Sequence, residues 1–402
     1  MRVLFVAPYL PSRVRIRPFQ WIQALAANGC DVHLVSLVPP EDRWASDTPL
    51  RHACTSIDRF PLSRAQTLTN AARALVTGAP LQALYSRHQE ASAHIGTLAA
   101  SGRFDVVHIE HLRGVVMAEH VTTTPIVFDA VDSITLLFEQ AATRAPHLSQ
   151  RLTARLDLER TRRFEASLPR RFARTLTTSE RERDAFIRLA GPDVSDRIVT
   201  IPNGVDTEYF QPSDAAPHTP TVLFTGKMSY HANVAAALRL VRDIMPRVWQ
   251  TQPDAVVVIA GKDPPADIQA LTADRRVSVT GFVDDLRPYF ARARVAVAPL
   301  VYGAGIQNKV LEAMACGVPV VTTTDASRAF AARVGSDVLV AETDDDFGRH
   351  ILRLLEDDAA QEACGRAGRH YVEAHHNWQT LGRRLIDVYE DAVRYSRSIS
   401  AR

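Results

Sequence analysis

The stretch GAGIQNKVLEAMACGVPVVTT, residues 303–323, contains a loop, a short amphipathic helix and a buried strand in direct succession. Another apolar strand, RVAVAPL, precedes it and ends at Leu300. This order places Gly303, Ala304 and Gly305 between the carboxyl end of one strand and the start of a helix. Backbone amides and the helix dipole favour a phosphate group at such a position. The stretch therefore predicts an α/β protein with an anion site after this strand.

The helix predicted within this stretch has an apolar face and a polar face. Asn308, Lys309 and Glu312 share the polar face, so a cation and a carboxylate lie beside the predicted anion site. The alternative is an ordinary helix in which Lys309 and Glu312 form a surface ion pair, worth about 0.3 kcal/mol. Gly317 and Pro319 end the helix. The core-facing residues recur at helical spacing: Ile306, Val310, Ala313 and Met314.

As a whole, this segment resembles the donor-binding segment of the retaining glycosyltransferases of family 4, which have the GT-B fold. In that family a Glu near the helix end holds the nucleotide ribose, which implies this role for Glu312. The sequence GIQNKVLEAMA most resembles that of a family branch associated with exopolysaccharide assembly. The resemblance implies that the diphosphate and sugar of the donor contact the residues before that Glu: Gly305, Ile306, Gln307, Asn308 and Lys309.

One position departs from the family pattern. The family places a second Glu eight positions before the ribose Glu, and this chain has Ala304 at that place. If the missing acid touches the transferred sugar in the family, the sugar must be oriented in another way here. Asn308 and Gln307 are the nearest polar substitutes.

Length and composition indicate two domains and a globular enzyme. A chain of 402 residues is too long for one ordinary core. Hydrophobic residues make up 46% and charged residues 23%, and no apolar run approaches the roughly 20 residues needed to span a bilayer. The N-terminal MRVLFVAPYL fits a first strand better than a signal peptide. We therefore expect a cytoplasmic protein, and the formal charge of +2 gives no indication of nucleic-acid binding.

Neither the cysteines nor the histidines are spaced like metal ligands. The 14 histidines form no H-x-x-x-H or similar cluster. We expect free buried thiols, no metal, and no cofactor other than a nucleotide sugar as co-substrate. The four cysteines are scattered along the chain: Cys30, Cys54, Cys316 and Cys364.

Short apolar runs alternate with helical segments twice, which predicts two doubly wound parallel sheets. The first set of strands is VLFVAP, DVHLVSL, DVVHI, PIVFDAV and TLTTS. The second set is TVLFTG, AVVVIAG, VSVTGF, VAVAPL, PVVTT and DVLVA. Because ligands bind beyond the carboxyl ends of such strands, we expect two Rossmann-like domains that face each other across a cleft.

These patterns place the domain boundaries. Residues 1–205 form the expected acceptor-binding domain and 221–376 the expected nucleotide-sugar domain. A proline-rich segment with little periodicity predicts a linker at 206–220. Residues 377–402 read as an amphipathic helix, and the resemblance implies that it crosses back to the first domain. The alternative is an ordinary last helix of the second domain.

Three loops of the first domain carry candidate residues. Arg15 and Arg17 precede a helix, where arginines oppose the dipole unless an anion is bound. Two interpretations stay open: these arginines contact a phosphate or the acceptor, or they are solvated loop charges. His111 follows a strand and either contacts a sugar or is structural. Asp129 and Asp132 follow PIVF and could accept a hydrogen bond from the incoming hydroxyl. Asp132 could instead cap the following helix.

Two loops of the second domain complete the candidate site. Gly226 and Lys227 follow TVLFTG, and the family usually has a basic residue there that reaches the donor diphosphate. Lys227 is a candidate for stabilising charge on the leaving phosphate, or else a solvated loop lysine. By resemblance, Phe282 and Val283 border the base of the nucleotide. The candidate catalytic residues are therefore Asp132, Lys227, His111 and Asp129.

The sequence favours a retaining glycosyltransferase that moves a sugar from a nucleotide diphosphate donor to an acceptor hydroxyl. The acceptor is a saccharide, a lipid-linked saccharide or a secondary metabolite. Retention is implied by the resemblance alone. Two alternatives stay open: a nucleotide-sugar epimerase of the same fold, and a non-catalytic nucleotide-sugar-binding subunit. An arginine-rich segment, residues 144–174, suggests peripheral contact with the inner face of a membrane, although its pattern of charges favours a solvated helix face.

Overall fold

The computed structural model of the protein describes residues 1–12, 15–39, 49–144, 148–213, 219–300, 307–327 and 332–400. The chain forms two compact units. The first contains Met1–Pro202 and Trp378–Arg402, and the second contains Asn203–Asn377.

This division differs from the predicted linker at 206–220. The first residues after Pro202 already belong to the second unit, because backbone and side-chain hydrogen bonds hold them there. Val205 N donates to His376 O at 2.7 Å. Arg369 donates to Thr207 O at 3.0 Å and to Phe210 O at 2.6 Å.

The first unit is built on a seven-stranded sheet in the order β3-β2-β1-β4-β5-β6-β7. All of its neighbouring strands pair in parallel. Most residues of the inner strands are buried, as expected of a parallel sheet that is covered on both faces. The strands are β1 (Arg2–Ala7), β2 (Asp31–Val38), β3 (Ser56–Pro61), β4 (Val106–Glu110), β5 (Ile126–Asp129), β6 (Arg174–Thr177) and β7 (Ile198–Thr200).

Helices connect these strands. The bounds are α1 (Ile16–Ala27), α2 (Leu50–Ala53), α3 (Arg64–Thr77), α4 (Leu81–Leu84), α5 (Gln89–Ala100), α6 (His111–Gly114), α7 (Ile134–Arg144), α8 (Leu148–Arg171) and α9 (Glu180–Ala190). Short 3-10 turns cover Val115–Ala118 and Pro192–Arg197.

The second unit repeats the plan with a six-stranded parallel sheet in the order β10-β9-β8-β11-β12-β13. Its strands are β8 (Thr221–Thr225), β9 (Val256–Ala260), β10 (Val277–Gly281), β11 (Val295–Ala298), β12 (Val320–Thr322) and β13 (Leu339–Val340). Its helices are α10 (His231–Arg239), α11 (Met245–Thr251), α12 (Ala266–Gln269), α13 (Arg287–Arg292), α14 (Asn308–Ala315), α15 (Thr324–Ser327), α16 (Asp344–Glu356) and α17 (Asp358–His375). A π-helical turn, Leu240–Ile244, joins α10 to α11, and a 3-10 turn, Ala270–Ala273, follows α12.

The last helix, α18 (Trp378–Ser400), belongs to the first unit. Trp378 packs edge-on against Trp21 of α1, with ring centroids 4.8 Å apart. Tyr389 is buried and its hydroxyl lies 2.8 Å from His108 Nδ1 on β4. Apolar side chains of α18 therefore cover one face of the first sheet, and the buried hydroxyl of Tyr389 has a partner.

Several charged residues of α8 have partners within the first unit. Arg162 pairs with Glu139 at 2.7 Å and with Glu159 at 2.5 Å. Asp157 accepts a hydrogen bond from Leu81 N at 3.0 Å. Among the residues that the structure describes, no helix has the length and apolar content needed to cross a bilayer. All four cysteines are free, and three of them are buried.

Candidate functional site

In the second unit, the loop after β8 is positioned by two glycines that touch. A Cβ atom on Gly261, after β9, would lie 1.8 Å from the carbonyl oxygen of Gly226. Only glycine therefore fits at Gly261 without moving the backbone. Gly226 N donates to Ala260 O at 3.0 Å, and Met228 N donates to Lys262 O at 2.9 Å. The loop is thus fixed to the end of β9 from both sides.

Asn233 of α10 links this loop to α14. Its side-chain nitrogen donates to Lys227 O at 2.9 Å. Its side-chain oxygen accepts from Lys309 Nζ at 2.5 Å. The ammonium of Lys309 also lies 4.6 Å from the centroid of the Phe224 ring, a cation–π contact. A lysine head group is therefore held at the point where β8, α10 and α14 meet.

Lys309 and Glu312 both lie in an environment that disfavours charge. Burial lowers the pKa of Lys309 from its ordinary value of 10.5 to about 7, although the Glu312 charge acts in the opposite direction. Burial raises the pKa of Glu312 to about 7. No salt bridge within 4 Å joins the two side chains. Each group would gain its charge more easily beside a ligand of complementary charge.

The rest of the α14 face is polar at its start and apolar along its length. Gln307 precedes the helix without capping it, and the buried Oδ1 of Asn308 accepts no hydrogen bond from the described residues. Val310 and Met314 are buried, as the predicted core stripe requires. Two predicted donor contacts, Gly305 and Ile306, and the departing position Ala304 lie outside the described residues.

The remaining predicted donor contacts are accessible. Lys227 is exposed, and its carbonyl oxygen is the group that Asn233 holds. Phe282 is 67% exposed, which is unusual for a phenylalanine, and Val283 is half-buried. An exposed aromatic ring after β10 offers a flat surface for stacking.

In the first unit, Arg17 and Asp129 form a buried ion pair. Arg17 Nε donates to Asp129 Oδ2 at 2.8 Å, and Trp21 Nε1 donates to the same oxygen at 3.0 Å. Arg17 also donates to Ile201 O at 3.1 Å. The predicted acceptor contact of Arg17 and the predicted catalytic role of Asp129 stay predictions. The geometry gives both side chains a partner inside the protein.

Arg15 folds back on its own loop. Its guanidinium donates to Leu10 O at 3.3 Å and lies 4.6 Å from the centroid of the Tyr9 ring. The side chain is half-buried. Its predicted contact with an acceptor or phosphate also stays a prediction.

His111 begins the segment after β4 with an unusual backbone. Its φ is 62°, and Val131, after the neighbouring strand β5, has a φ of 64°. Residues with side chains rarely adopt this region, and such strain is concentrated at functional sites. His111 Nδ1 accepts from Arg113 N at 3.2 Å, which leaves Nε2 as the protonated nitrogen of a neutral ring. Burial and the Arg113 charge lower its pKa to about 3.

Asp132 does not cap α7. The first amides of that helix donate to Glu165 of α8, Ile134 N at 2.8 Å and Thr135 N at 3.1 Å. The side chain of Asp132 forms no hydrogen bond or ion pair with the described residues. Burial and the nearby carboxylate of Glu182 raise the pKa of Asp132 to about 7. A carboxyl group with this pKa can exchange a proton near neutral pH.

Sequence reasoning missed Glu110, the last residue of β4. It is fully buried, and Tyr9 Oη donates to its Oε1 at 3.4 Å. Its Oε2 has no hydrogen-bond partner. Burial and the Asp129 charge raise the pKa of Glu110 well above its ordinary value. The signal in the sequence was a glutamate at the end of a strand that is otherwise apolar except for His108.

Two groups of possible metal ligands occur in the described residues. One group is His108, Glu110 and Asp129. The guanidinium of Arg17 already binds Asp129, and its positive charge disfavours a metal ion beside the same carboxylate. The other, away from the carboxyl ends of the strands, is His33, Asp58 and His94. The expectation from spacing alone found neither, because each group comes from separate elements.

Two family models match the chain in succession. A model described as "Glycosyl transferase 4-like domain" matches residues 15–204. A model described as "Glycosyl transferases group 1" matches residues 219–357. Together the two matches cover most of the chain, one in each unit.

Two curated relatives are each 28% identical to this chain over the part that aligns. A GDP-mannose-dependent monoacylated alpha-(1-6)-phosphatidylinositol monomannoside mannosyltransferase of Corynebacterium glutamicum is 28% identical over 216 residues, 48% of this chain and 56% of the relative. Glycogen synthase of Mycobacterium tuberculosis is 28% identical over 244 residues, 58% of each chain. The chain thus matches little more than half the length of these relatives.

Solved structures match over almost the whole chain. Sucrose-phosphate synthase from Thermosynechococcus elongatus aligns with a TM-score of 0.68 and 19% identity, covering 97% of this chain and 98% of the other. HepE of Anabaena, solved in complex with UDP and glucose, aligns with a TM-score of 0.68 and 14% identity, covering 97% and 99%. At this level of identity the likeness shows the fold.

Proposed function

The chain belongs to family 4 of the GT-B glycosyltransferases, and on this premise we propose that it is a retaining glycosyltransferase with a nucleotide diphosphate sugar as donor. The acceptor is a hydroxyl of a saccharide, a lipid-linked saccharide or another small molecule. One observation carries the proposal: Lys309 is a desolvated lysine held by Asn233 beside the loop that bears Lys227.

The donor would bind to the second unit. Lys227 is exposed on a loop fixed to β9, and Lys309 has its head group at the end of β8. A diphosphate near these groups would restore the full charge of Lys309, whose pKa is lowered by burial to about 7. Glu312 would bind the ribose hydroxyls, and the exposed ring of Phe282 would border the base.

Charge stabilisation would drive the chemical step. Cleavage of the bond from the sugar to the diphosphate places negative charge on the departing oxygen. Preorganised cations lower the barrier because they act where this charge develops. In a front-face transfer the departing phosphate oxygen takes the proton of the acceptor hydroxyl. No covalent intermediate is needed, and the lysines replace a metal in this role.

The first unit would supply polar groups for the acceptor and the transferred sugar. His111 has a neutral ring with a proton on Nε2, so it can donate to a sugar oxygen. Asp132 has a carboxyl with a pKa of about 7 and no partner within the described residues, so it can accept from a hydroxyl. We assign Arg17 and Asp129 to positioning, because their ion pair joins the start of α1 to the end of β5, from which the loop with Asp132 continues.

A transfer assay tests the proposal. The full chain is incubated with GDP-mannose or UDP-glucose, the donors suggested by the names of the relative and of a HepE complex, and with a panel of saccharide and lipid-linked acceptors. We expect release of the nucleoside diphosphate and an α-linked product by NMR. An inverted linkage would contradict retention, whereas tight donor binding without any transfer would favour a binding subunit. Activity should persist after EDTA treatment.

A further inference from the structure

A cluster of three ligand-type side chains lies in the first unit, apart from the candidate site. His33 of β2 and His94 of α5 both place Nε2 2.7 Å from the same oxygen, Oδ2 of Asp58 on β3. The ligand-type atoms of the three residues all lie within 4.8 Å of one another. Two imidazoles and one carboxylate thus converge on one point.

The fold itself produces this convergence. In the parallel register of β2 and β3, His33 is opposite Ser56 and Val35 is opposite Asp58. Because side chains alternate along a strand, His33 and Asp58 point to the same face of the sheet. Helix α5 packs over this face and adds His94. Three separate elements therefore position the ligands, which explains why no short spacing in the sequence revealed them.

The surroundings suit a metal more than a chance surface contact. The side chains of His33, Asp58 and His94 are 14%, 32% and 37% exposed, so the cluster is sheltered and still reachable from solvent. Phe104 packs edge-on against His33, with centroids 5.5 Å apart. Phe60 lies 5.5 Å from His94. Apolar rings around a polar centre limit water and orient the ligands.

We propose that His33, Asp58 and His94 form a structural site for a divalent transition-metal ion, with Zn²⁺ as the best match. Two imidazole nitrogens and one carboxylate oxygen are ligands that Zn²⁺ accepts, whereas Mg²⁺ and Ca²⁺ prefer oxygen alone. A water molecule can complete a tetrahedron from the solvent side. Tetrahedral Zn²⁺ with bonds of about 2.0–2.1 Å separates its ligand atoms by about 3.4 Å. Small rotations of Asp58 and His94, the more exposed members, open the 2.7 Å contacts to that spacing.

Binding would replace the two hydrogen bonds with metal bonds. Each imidazole would bind the ion through Nε2 as a neutral ring that keeps its one proton on Nδ1. A doubly protonated ring would first release one proton to solvent, so binding becomes weaker as the pH falls. The ion would join the edge strand β3 to β2 and α5. His33 pairs in register with Leu4, three residues before β1 ends at Ala7. At about 3.3 Å per residue, the site is roughly 10 Å short of the strand ends that carry the candidate catalytic loops. The site is therefore independent of the proposed transfer reaction.

Equilibrium binding of Zn²⁺ to the full, tag-free chain tests the proposal. Chelator-treated protein is titrated with Zn²⁺ in competition with a chromophoric chelator, and Co²⁺ is used as a spectroscopic probe. The variants His33→Ala, His94→Ala and Asp58→Asn each remove one ligand. His370→Ala is the matched control, since His370 is an exposed histidine on α17 of the second unit. Thermal unfolding of each protein is recorded with and without Zn²⁺.

We expect one Zn²⁺ per wild-type chain, a tetrahedral Co²⁺ absorption spectrum, and a higher melting temperature with Zn²⁺. Each ligand variant should bind at least 100-fold more weakly, the upper end of the loss seen when only an outer partner is removed. The His370→Ala control should match the wild type. If one histidine variant fails to fold, Asp58→Asn and the other histidine variant carry the comparison. Absence of stoichiometric binding, or equal affinity in the ligand variants and the control, would overturn the proposal.

Discussion

Lys309 is the residue on which the account of the donor site depends. Its ammonium is bonded to Asn233 and lies against the Phe224 ring, and burial holds its pKa near 7. A lysine in such a place destabilises the ligand-free protein, because its ammonium group would keep its full charge in the unfolded chain. A diphosphate ligand would offset this cost. The sequence predicted the position of Lys309 on a polar helix face, but burial of its head group depends on Asn233 and Phe224, which lie far from it in the chain.

The pH dependence of stability tests this environment. Between pH 7 and 10.5 the unfolded chain binds a proton at Lys309 that the folded chain lacks, so this lysine makes stability rise with pH. The contribution is at most about 1.4 kcal/mol per pH unit. Lys309→Met should remove this rise, as measured by urea unfolding at pH 7.5, 8.5 and 9.5.

The same unfolding measurement at acidic pH is the internal control for this experiment. Below about pH 6.5 Lys309 is protonated in both the folded and the unfolded chain. Its titration therefore no longer changes the difference in unfolding free energy between the wild type and Lys309→Met. A difference that stays constant from pH 6 to 9.5 would show that Lys309 has an ordinary pKa.

Lys227 belongs to the same site but is exposed. We expect it to act on the leaving diphosphate, where loss of one preorganised partner costs about 3 kcal/mol, or about a hundredfold in rate. Lys227→Ala should therefore lower turnover at saturating donor by about that factor, with unchanged circular dichroism. Lys227→Arg should retain part of the activity. Near-normal turnover of the alanine variant would remove Lys227 from the mechanism.

Glu312 is expected to bind the ribose. Its carboxyl group is half-buried with a pKa raised to about 7, and it lies beside the buried residues Leu311 and Ala313. Glu312→Ala should weaken binding of a nucleoside diphosphate by roughly tenfold, the effect of losing a hydrogen bond worth about 1.5 kcal/mol. Calorimetry measures the affinity, and an unchanged value would leave Glu312 as a structural residue. Loss of solubility would instead show that its packing role dominates.

At the scale of elements, the contact between Gly226 and Gly261 determines where the donor loop lies. A methyl group on Gly261 would collide with the Gly226 carbonyl oxygen at 1.8 Å, and backbone cannot move away cheaply. Gly261→Ala should displace the loop and weaken donor binding while the unit stays folded. Gly348→Ala is the matched control, because its new methyl would meet only the Arg247 side chain, at 3.4 Å from Cβ and 3.8 Å from Cδ. Equal nucleotide affinity in both variants would contradict this positioning role.

The strands show what the sequence could predict. The predicted apolar runs correspond to the five inner strands of the first sheet and to all six strands of the second. Parallel strands that are covered on both faces are rich in apolar residues, which makes them recognisable in the sequence. The prediction missed β3 and β7, the two edge strands of the first sheet. β3 has the sequence SIDRFP with no fully buried residue, and β7 has only three residues. Edge strands need fewer apolar residues, so their sequences resemble loops.

The candidate site shows a similar limit. Loops after strands were predictable, since parallel sheets bind ligands at their carboxyl ends. The partners of each side chain were not. Asp129 is bonded to Arg17, and α7 is capped by Glu165 from a neighbouring helix, contacts between residues 112 and 31 positions apart. Pairings at such distances depend on the folded sheet rather than on local pattern.

At the scale of the whole molecule, the chain repeats one architecture in two units and returns to the first with α18. The family that the segment 303–323 suggested is confirmed by the two family models, and the fold is confirmed by the likeness to solved structures. The exopolysaccharide branch, the donor and the acceptor stay predictions. All three predictions require a nucleotide-binding site on the second unit.

Calorimetric binding of UDP and GDP to the full chain at pH 7.5, in two buffers of different ionisation enthalpy, tests this requirement most directly. We predict that at least one nucleotide binds and that binding takes up protons, because the diphosphate raises the pKa of Lys309 from about 7. Lys309→Met should lose the proton uptake and most of the affinity. Binding that is equally tight in Lys309→Met, or no binding of either nucleotide, would contradict the account.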